Sequence, residues 1–254
     1  MNRKILYAVA PLFFFVALSN VFGQQSPTAI PFPKINLGIG TAQNGNDVSV
    51  TLQILLLMTV LSLAPSIVIM TTSYLRIIIV FSFLKSALGT QQMPPSQLLA
   101  GVALFVTFFI MAPTWSKVND EALKPLMDNK LTVQQAYDKS VEPIRQFMFR
   151  NTRDEDLELF IGLSKQARPN TRNDVPTYVL IPAFVLSELR AGFTMGFFLF
   201  IPFIMVDMIV SSILMSMGMM MMPPMMISLP FKILLFILVD GWNLIVGSLI
   251  RSFH

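Results

Sequence analysis

At 254 residues, 54% hydrophobic and 13% charged, with a mean hydropathy of +0.66, the chain is too apolar for an ordinary soluble protein and reads as a membrane or membrane-complex protein. Its formal charge of +4 marks no basic face for nucleic acid: residues 114–180 hold ten basic and ten acidic side chains, so the excess lies outside that block, half of it on Arg3 and Lys4. No cysteine is present, which excludes disulfides and thiol chemistry.

Residues 1–23 have the layout of a secretory signal peptide. Arg3 and Lys4 precede an apolar stretch from Ile5 to Leu18, and Val21 and Gly23 stand where small residues precede a cleavage site. An uncleaved first membrane helix is the alternative. Residues 24–49, rich in Pro, Gly, Asn and Gln, read as a flexible mature N-terminus outside the cytoplasm.

Residues 50–112 predict a first apolar helical hairpin. The run 50–73 is long and apolar enough to cross a bilayer, with Pro65 as a kink. Arg76 interrupts the hydrophobic pattern and Lys85 closes it; residues 89–96, with Pro94 and Pro95, form a short connection. The fifteen apolar residues 98–112 fall short of the roughly 20 that a simple span needs.

At Pro113 the composition changes, and residues 113–181 predict a polar, helical, extracytoplasmic region. Thr132 with Gln135 fits a capping box, after which Val133, Ala136, Tyr137, Val141, Ile144, Phe147 and Met148 share a helical face that Pro143 should break or bend. Thr152 with Glu155 fits a second box, opening a short helix with Leu157, Phe160 and Ile161 as its stripe. The acids Asp154, Glu155, Asp156 and Glu158 lie in its first turns, where the helix dipole favours negative charge, so they read as helix-start electrostatics rather than a metal site.

Residues 182–254 predict a second apolar helical hairpin, with Pro182 as a first helical residue. Glu188 and Arg190 precede the apolar run 191–206, Asp207 follows it, and Lys232 and Asp240 divide the last part. A charge at the bilayer centre costs about 2.5–3.5 kcal/mol on insertion scales. Lipid-facing isolation is therefore a poor fate for these segments, and burial against protein with charges paired is the simplest escape. Lys232 should pair with Asp207, Asp240 or an acid on a partner. An intramembrane relay through Arg76, Glu188, Arg190 and Asp207 is the transporter-like alternative.

Within this half, residues 217–226 hold seven of the chain's 18 methionines. Pro223 and Pro224 should end an arriving helix near Met222, and Gly218 loosens the approach. The result is a soft, thioether-rich bend able to close an opening and yield when something passes. Ordinary packing in a hydrophobic hairpin competes with that reading. So does a soft-metal site, because Met217 and Met219 form Met-x-Met and thioethers suit Cu(I); with no cysteine and one histidine, at the last residue, no metal is expected.

Several strings are long and unusual: PSIVIMTTSYLR at 65–76, GTQQMPP at 89–95, ELRAGF at 188–193, MSMGMMMMPP at 215–224, LPFK at 229–232 and VDGWNL at 239–244. Together they closely resemble the FliP family of flagellar type III export-gate proteins, whose injectisome counterparts form the SctR group. The match runs from about residue 50 to the end. The resemblance implies an all-α subunit that assembles into a ring-like or helical homo-oligomer, completed by FliQ-like and FliR-like subunits and working with FlhA/FlhB-like export proteins. It implies a channel in the inner membrane at the flagellar basal body, passing unfolded flagellar subunits. It also implies that Met219, Met220, Met221 and Met222 form a gasket across the closed channel, and that the complex sits largely above the ordinary bilayer plane.

An apolar methionine constriction would shed water and block ions, yet rearrange around many different chains. No bond is made or broken in such a device, so neither enzyme activity nor cofactor is expected, and no P-loop or nucleophile elbow is present. A lone small-solute or ion transporter and a scaffold binding a partner through residues 114–180 are the competing classes.

Overall fold

The computed structural model describes residues 45–90, 93–165, 168–169, 171–219 and 223–253. The expected signal peptide at 1–23 and most of the segment 24–49 lie outside them. The chain divides into two compact units after residue 54; of the first, only residues 45–54 are described, as the opening turns of a helix. The second unit, Leu55–His254, holds the rest of the described chain. Every regular element among the described residues is helical.

Helix α1 spans Gly45–Thr71 and passes through Pro65 without interruption. From Leu55 onward its large side chains are exposed. Its hydroxyls turn inward on their own helix: Thr59 donates to Leu55 O, Ser62 to Met58 O and Thr71 to Ile67 O, each at 2.8 Å. The carbonyls of the same helix thus absorb these three hydroxyls on an otherwise apolar surface. At residues 72 and 73 the chain breaks into α2, Tyr74–Leu88, which buries Arg76, Ile77, Val80, Phe81, Leu84, Ala87 and Leu88 on one helical face. Gly89 ends it in the left-handed conformation (φ +70°), its N–H donating to Ser86 O.

Helix α3 covers Ser96–Val118 and passes Pro113 into a π-helical turn, Asn119–Leu123, and a short α4, Lys124–Met127. The helix therefore outruns the fifteen-residue apolar run. Its buried face continues through Thr114 and Val118, so packing rather than composition sets its length.

Helix α5, Val133–Asn151, opens on the Thr132/Gln135 capping box: Gln135 N–H donates to Thr132 Oγ1 (3.3 Å) and Thr132 N–H to Gln135 Oε1 (3.0 Å). Pro143 does not break it. The carbonyl that loses its partner belongs to Lys139, an exposed residue whose backbone water can reach. The expected stripe is buried only in part, at Ala136, Phe147 and Met148, while Val133 and Tyr137 project away from the core.

Helix α6, Asp154–Leu163, begins without the expected Thr152/Glu155 box. Thr152 Oγ1 instead donates backward to Met148 O at 2.7 Å, so it closes α5 and has no role left at the start of α6.

Helix α7, Thr177–Ser216, starts five residues before Pro182, after Pro176 and a 3-10 turn at Arg172–Asp174. Arg145 of α5 fixes that start by donating to Thr177 Oγ1 (2.5 Å), Val175 O (2.7 Å) and Asn173 O (3.1 Å). Helices α8, Pro224–Leu238, and α9, Gly241–Arg251, meet at 61° across Asp240, itself left-handed (φ 49°).

Helix α2 lies at the centre, between α7 and α3. The core joins Phe81 and Leu84 of α2, Met111 of α3, Met148 of α5, Phe184 of α7 and Leu249 of α9, all fully buried. At the α2–α7 crossing, Gly192 and Gly196 of α7 admit Ile79 and Phe83 of α2 against the backbone. Among the described residues, three stretches are long and apolar enough to cross a membrane: Leu52–Thr71, Ser96–Met127 and Thr177–Ser216. The bent α8–α9 pair makes a fourth if it counts as one span.

Candidate functional site

The methionine bend is built by the end of α7 and the start of α8. Gly218 rather than the prolines terminates α7: at φ +75° its N–H donates to Met215 O, and Met219 N–H reaches back to Leu214 O, both at 3.0 Å. This is a Schellman closure, with glycine at its left-handed position. It ends the helix at Ser216, short of the expected end near Met222. Met217 and Met219 leave the helix exposed. Met220, Met221 and Met222 lie outside the described residues. Pro223 is extended and Pro224 occupies the first position of α8, where its missing N–H and fixed φ suit a helix start. Met225 and Met226 follow, exposed.

A charged cluster anchors the bend. Asp207 on α7 accepts from Ser228 Oγ at 2.5 Å and from Lys232 Nζ at 2.7 Å. Ser228 and Lys232 are four apart on α8 and so share a face. Lys232 is buried and also donates to Ala87 O at 3.2 Å, which ties α8 to the end of α2. A Cβ built on Gly89 would stand 3.6 Å from Lys232 Nζ and 4.0 Å from Met225 Cε, so the two side chains flank the turn that ends α2. Asp240, the other acid considered for Lys232, accepts from Asn243 at 3.2 Å at the α8–α9 corner.

Arg76 and Glu188 form a second cluster deeper in the fold. Their contact is bidentate: Arg76 Nε donates to Glu188 Oε2 at 3.0 Å, and Nη2 donates to Oε1. The carboxylate is fully buried and Arg76 is 5% exposed. Arg76 Nη1 donates to Ser252 O (3.0 Å) and Ser252 Oγ (2.9 Å), and the guanidinium lies 3.8 Å from the centre of the Phe253 ring. Phe253 stacks on Phe147 of α5, so one arginine holds α2, α7 and the C-terminal turn together.

Arg190 belongs to a third cluster, with a partner that the sequence did not single out. Asp156, in the acidic group at the start of α6, is buried; it accepts from Ser187 Oγ (2.7 Å) and from Arg190 (2.9 Å). Ser187 Oγ in turn accepts from Arg153 N–H at 3.0 Å, docking α6 on α7. The other three acids of the group make exposed pairs: Asp154 with Arg172, Glu155 with Arg153 and Glu158 with Arg168. Asp156 falls beside buried Leu157 and one turn before Phe160 on the helix wheel, the one signal that separates it. Ser228 was equally legible, as a polar residue one turn before Lys232.

The sequence of this chain is similar to those of known proteins. A model of the FliP family matches residues 57–249. The flagellar biosynthetic protein FliP of Bacillus subtilis is 55% identical over 217 residues, covering 85% of this chain and 98% of that protein. This chain belongs to the FliP family. The FliP of Treponema pallidum is 45% identical over 265 residues, covering 99% of this chain and 97% of its own. That of Agrobacterium fabrum is 44% identical over 253 residues, with 99% of each chain covered.

Membership of the FliP family places the chain in flagellar biosynthesis, and its long apolar helices make it a membrane protein. In this FliP chain the intramembrane-type charges are matched: Arg76 with Glu188, Lys232 with Asp207 and Arg190 with Asp156. Each pair thus brings an opposite charge to a buried member, Glu188, Lys232 or Asp156, that would otherwise stand alone.

Proposed function

We propose that this chain is a core channel subunit of the flagellar type III export gate, and that its methionine bend seals the closed channel. Several copies, with FliQ-like and FliR-like subunits and FlhA/FlhB-like export proteins, surround a path for unfolded flagellar subunits across the inner membrane. Met219, Met220, Met221 and Met222 supply the apolar gasket, with Gly218, Pro223 and Pro224 shaping the bend. Residues 113–181 face the periplasm, between an apolar hairpin at 50–112 and a second at 182–254. The chain itself catalyses no reaction.

The observation that carries this reading is the combination on the two helices that flank one bend: exposed thioethers on both sides, and an Asp207–Ser228–Lys232 anchor, with Ser228 and Lys232 buried, fastened to α2. A soft constriction on a fixed base can rearrange its side chains without moving its frame. A lone transporter needs a charge that is free to exchange ions or protons, and the matched pairs argue against it.

The test changes Met219, Met220 and Met221 to alanine, checks by particle mass that the complex still assembles, and records ion leakage without exported substrate. Leakage above the parent supports the seal. Unchanged leakage and export, with assembly intact, sinks it and returns the methionines to packing.

A further inference from the structure

Within the apolar halves, Arg76, Glu188, Arg190, Asp207 and Lys232 are matched, which leaves Lys85, Asp240 and Arg251 without an ion pair among the described residues. Lys85, half-buried near the end of α2, donates to Ser96 Oγ at 2.7 Å. Asp240, exposed at the α8–α9 corner, accepts from Asn243 at 3.2 Å. Both partners are neutral, so each charge stays unbalanced.

Both charges stand on open surface. Beside Lys85, Ser82 and Ser86 are exposed, and their small side chains keep that strip of α2 low; Ser86 Oγ is folded back onto Ser82 O at 3.0 Å. Around Asp240, Ile237, Leu238, Val239 and Trp242 are exposed at a corner bent by 61°. Apolar side chains in such number call for protein cover, and covering a lone lysine or aspartate is unfavourable unless an opposite charge arrives with the cover.

Level along the bundle decides which charges can meet. The Trp242 ring meets the Phe81 ring edge-on at 6.4 Å, and Phe81 lies one turn before Lys85. Asp240, two residues before Trp242, therefore stands about one helical turn, roughly 5 Å, from the level of Lys85. Arg251 is eleven residues further along α9, about 16 Å away. Copies related by rotation about an axis along the bundle keep each residue at its level. Lys85, and not Arg251, then comes opposite the Asp240 of a neighbour.

We propose that Lys85 of one copy pairs with Asp240 of the next, so that the open strip of α2 receives the α8–α9 corner of the adjacent chain. The inference rests on the several copies proposed above and adds which surfaces meet. Each copy uses its lysine on one side and its aspartate on the other, a head-to-tail contact that closes as a ring or climbs as a helix. The charge matching that holds inside the chain thus extends to the contact between chains. The pair sets register and excludes wrong neighbours, while the apolar side chains around it supply most of the burial.

The experiment exploits a chain without cysteine. Lys85→Cys and Asp240→Cys are made singly and together in the full assembled gate, and a short bis-maleimide that spans the two side chains is added to the detergent-extracted particle. The double variant should give a ladder of two, three and more linked chains on a denaturing gel, and each single variant should stay at one chain. Charge reversal gives an independent reading. Lys85→Asp should lower the yield of the multi-copy particle by roughly tenfold or more, as like charges facing each other at an interface imply; adding Asp240→Lys should restore it, which a folding defect would not allow. Links confined within one chain, links in either single variant, links to a different protein, or reversal without rescue each overturn the proposal. Particle mass separates it from the reading it rests on: a multi-copy particle without the ladder overturns the pair alone, whereas a single-copy particle overturns both.

Discussion

Arg76 and Glu188, 112 residues apart in the chain, meet as a bidentate ion pair inside the fold. Burial of both charges makes the pair sensitive to loss of either member, because the survivor is left uncompensated. Arg76→Ala or Glu188→Ala should each destabilise the subunit by about 3–5 kcal/mol. The double change to Met and Leu, which leaves no charge behind, should recover most of that loss, short of the Ser252 contacts that Arg76 also makes. Thermal unfolding of the detergent-solubilised protein measures all three; a double variant as unstable as the worse single one would show that the pair stabilises beyond mutual neutralisation.

The Asp207–Lys232 pair should behave differently, because it anchors one local junction. Asp207→Asn keeps an acceptor for Ser228 and softens the site, whereas Asp207→Ala leaves Lys232 buried with Ala87 O as its one acceptor among the described residues. Amide hydrogen exchange at the end of α2, around Ala87 to Gly89, should accelerate in the order parent, Asn, Ala. Exchange that rises only at the α8–α9 corner would place the anchor's effect elsewhere.

The α2–α7 crossing tests close packing. A Cβ on Gly196 would come within 2.5 Å of the Phe83 ring, and one on Gly192 within 3.1 Å of Ile79. Gly196→Ala should therefore cost more than Gly192→Ala, with the larger loss in the range of about 1–3 kcal/mol typical of overpacking. Reversal of that order in thermal unfolding would mean that the helices separate more easily at Phe83 than the contacts imply.

Helix starts separate what pattern reveals from what it hides. Thr132→Ala should cost about 1 kcal/mol, because its capping box with Gln135 is made. Glu155→Ala should cost little, since Glu155 is exposed and caps nothing. Both sites read alike in the sequence. The difference lies in Thr152, whose hydroxyl the preceding helix had already engaged at Met148 O, and a four-residue pattern cannot register that competition. The helical class, the charge-broken apolar halves and the methionine bend were legible because each rests on local composition. The passage of α5 through Pro143, the partner of Arg190 and the burial of Asp156 were not, because tertiary contacts decide them. Lys232 stood between: the sequence confined it to a short set of acids, and only the fold brings Asp207 of α7 to its amine.

Gly218 offers the sharpest test of the bend. Its left-handed backbone closes α7 and fixes Met219 N–H on Leu214 O, so it decides where the exposed methionines begin. Nothing lies within 4 Å of a Cβ built there, so space does not limit substitution; the conformation does. Gly218→Ala should cost about 1 kcal/mol, and Gly218→Val more, because a branched side chain is least tolerant of positive φ. Gly218→Asn should cost least, since asparagine enters the left-handed region more readily. If the bend is the seal, ion leakage of the assembled gate should rise in the same order, Asn, Ala, Val. Leakage that is flat across the series while stability falls would mean that the helix end and the seal are separate features, and that the methionines close the channel from wherever α7 stops.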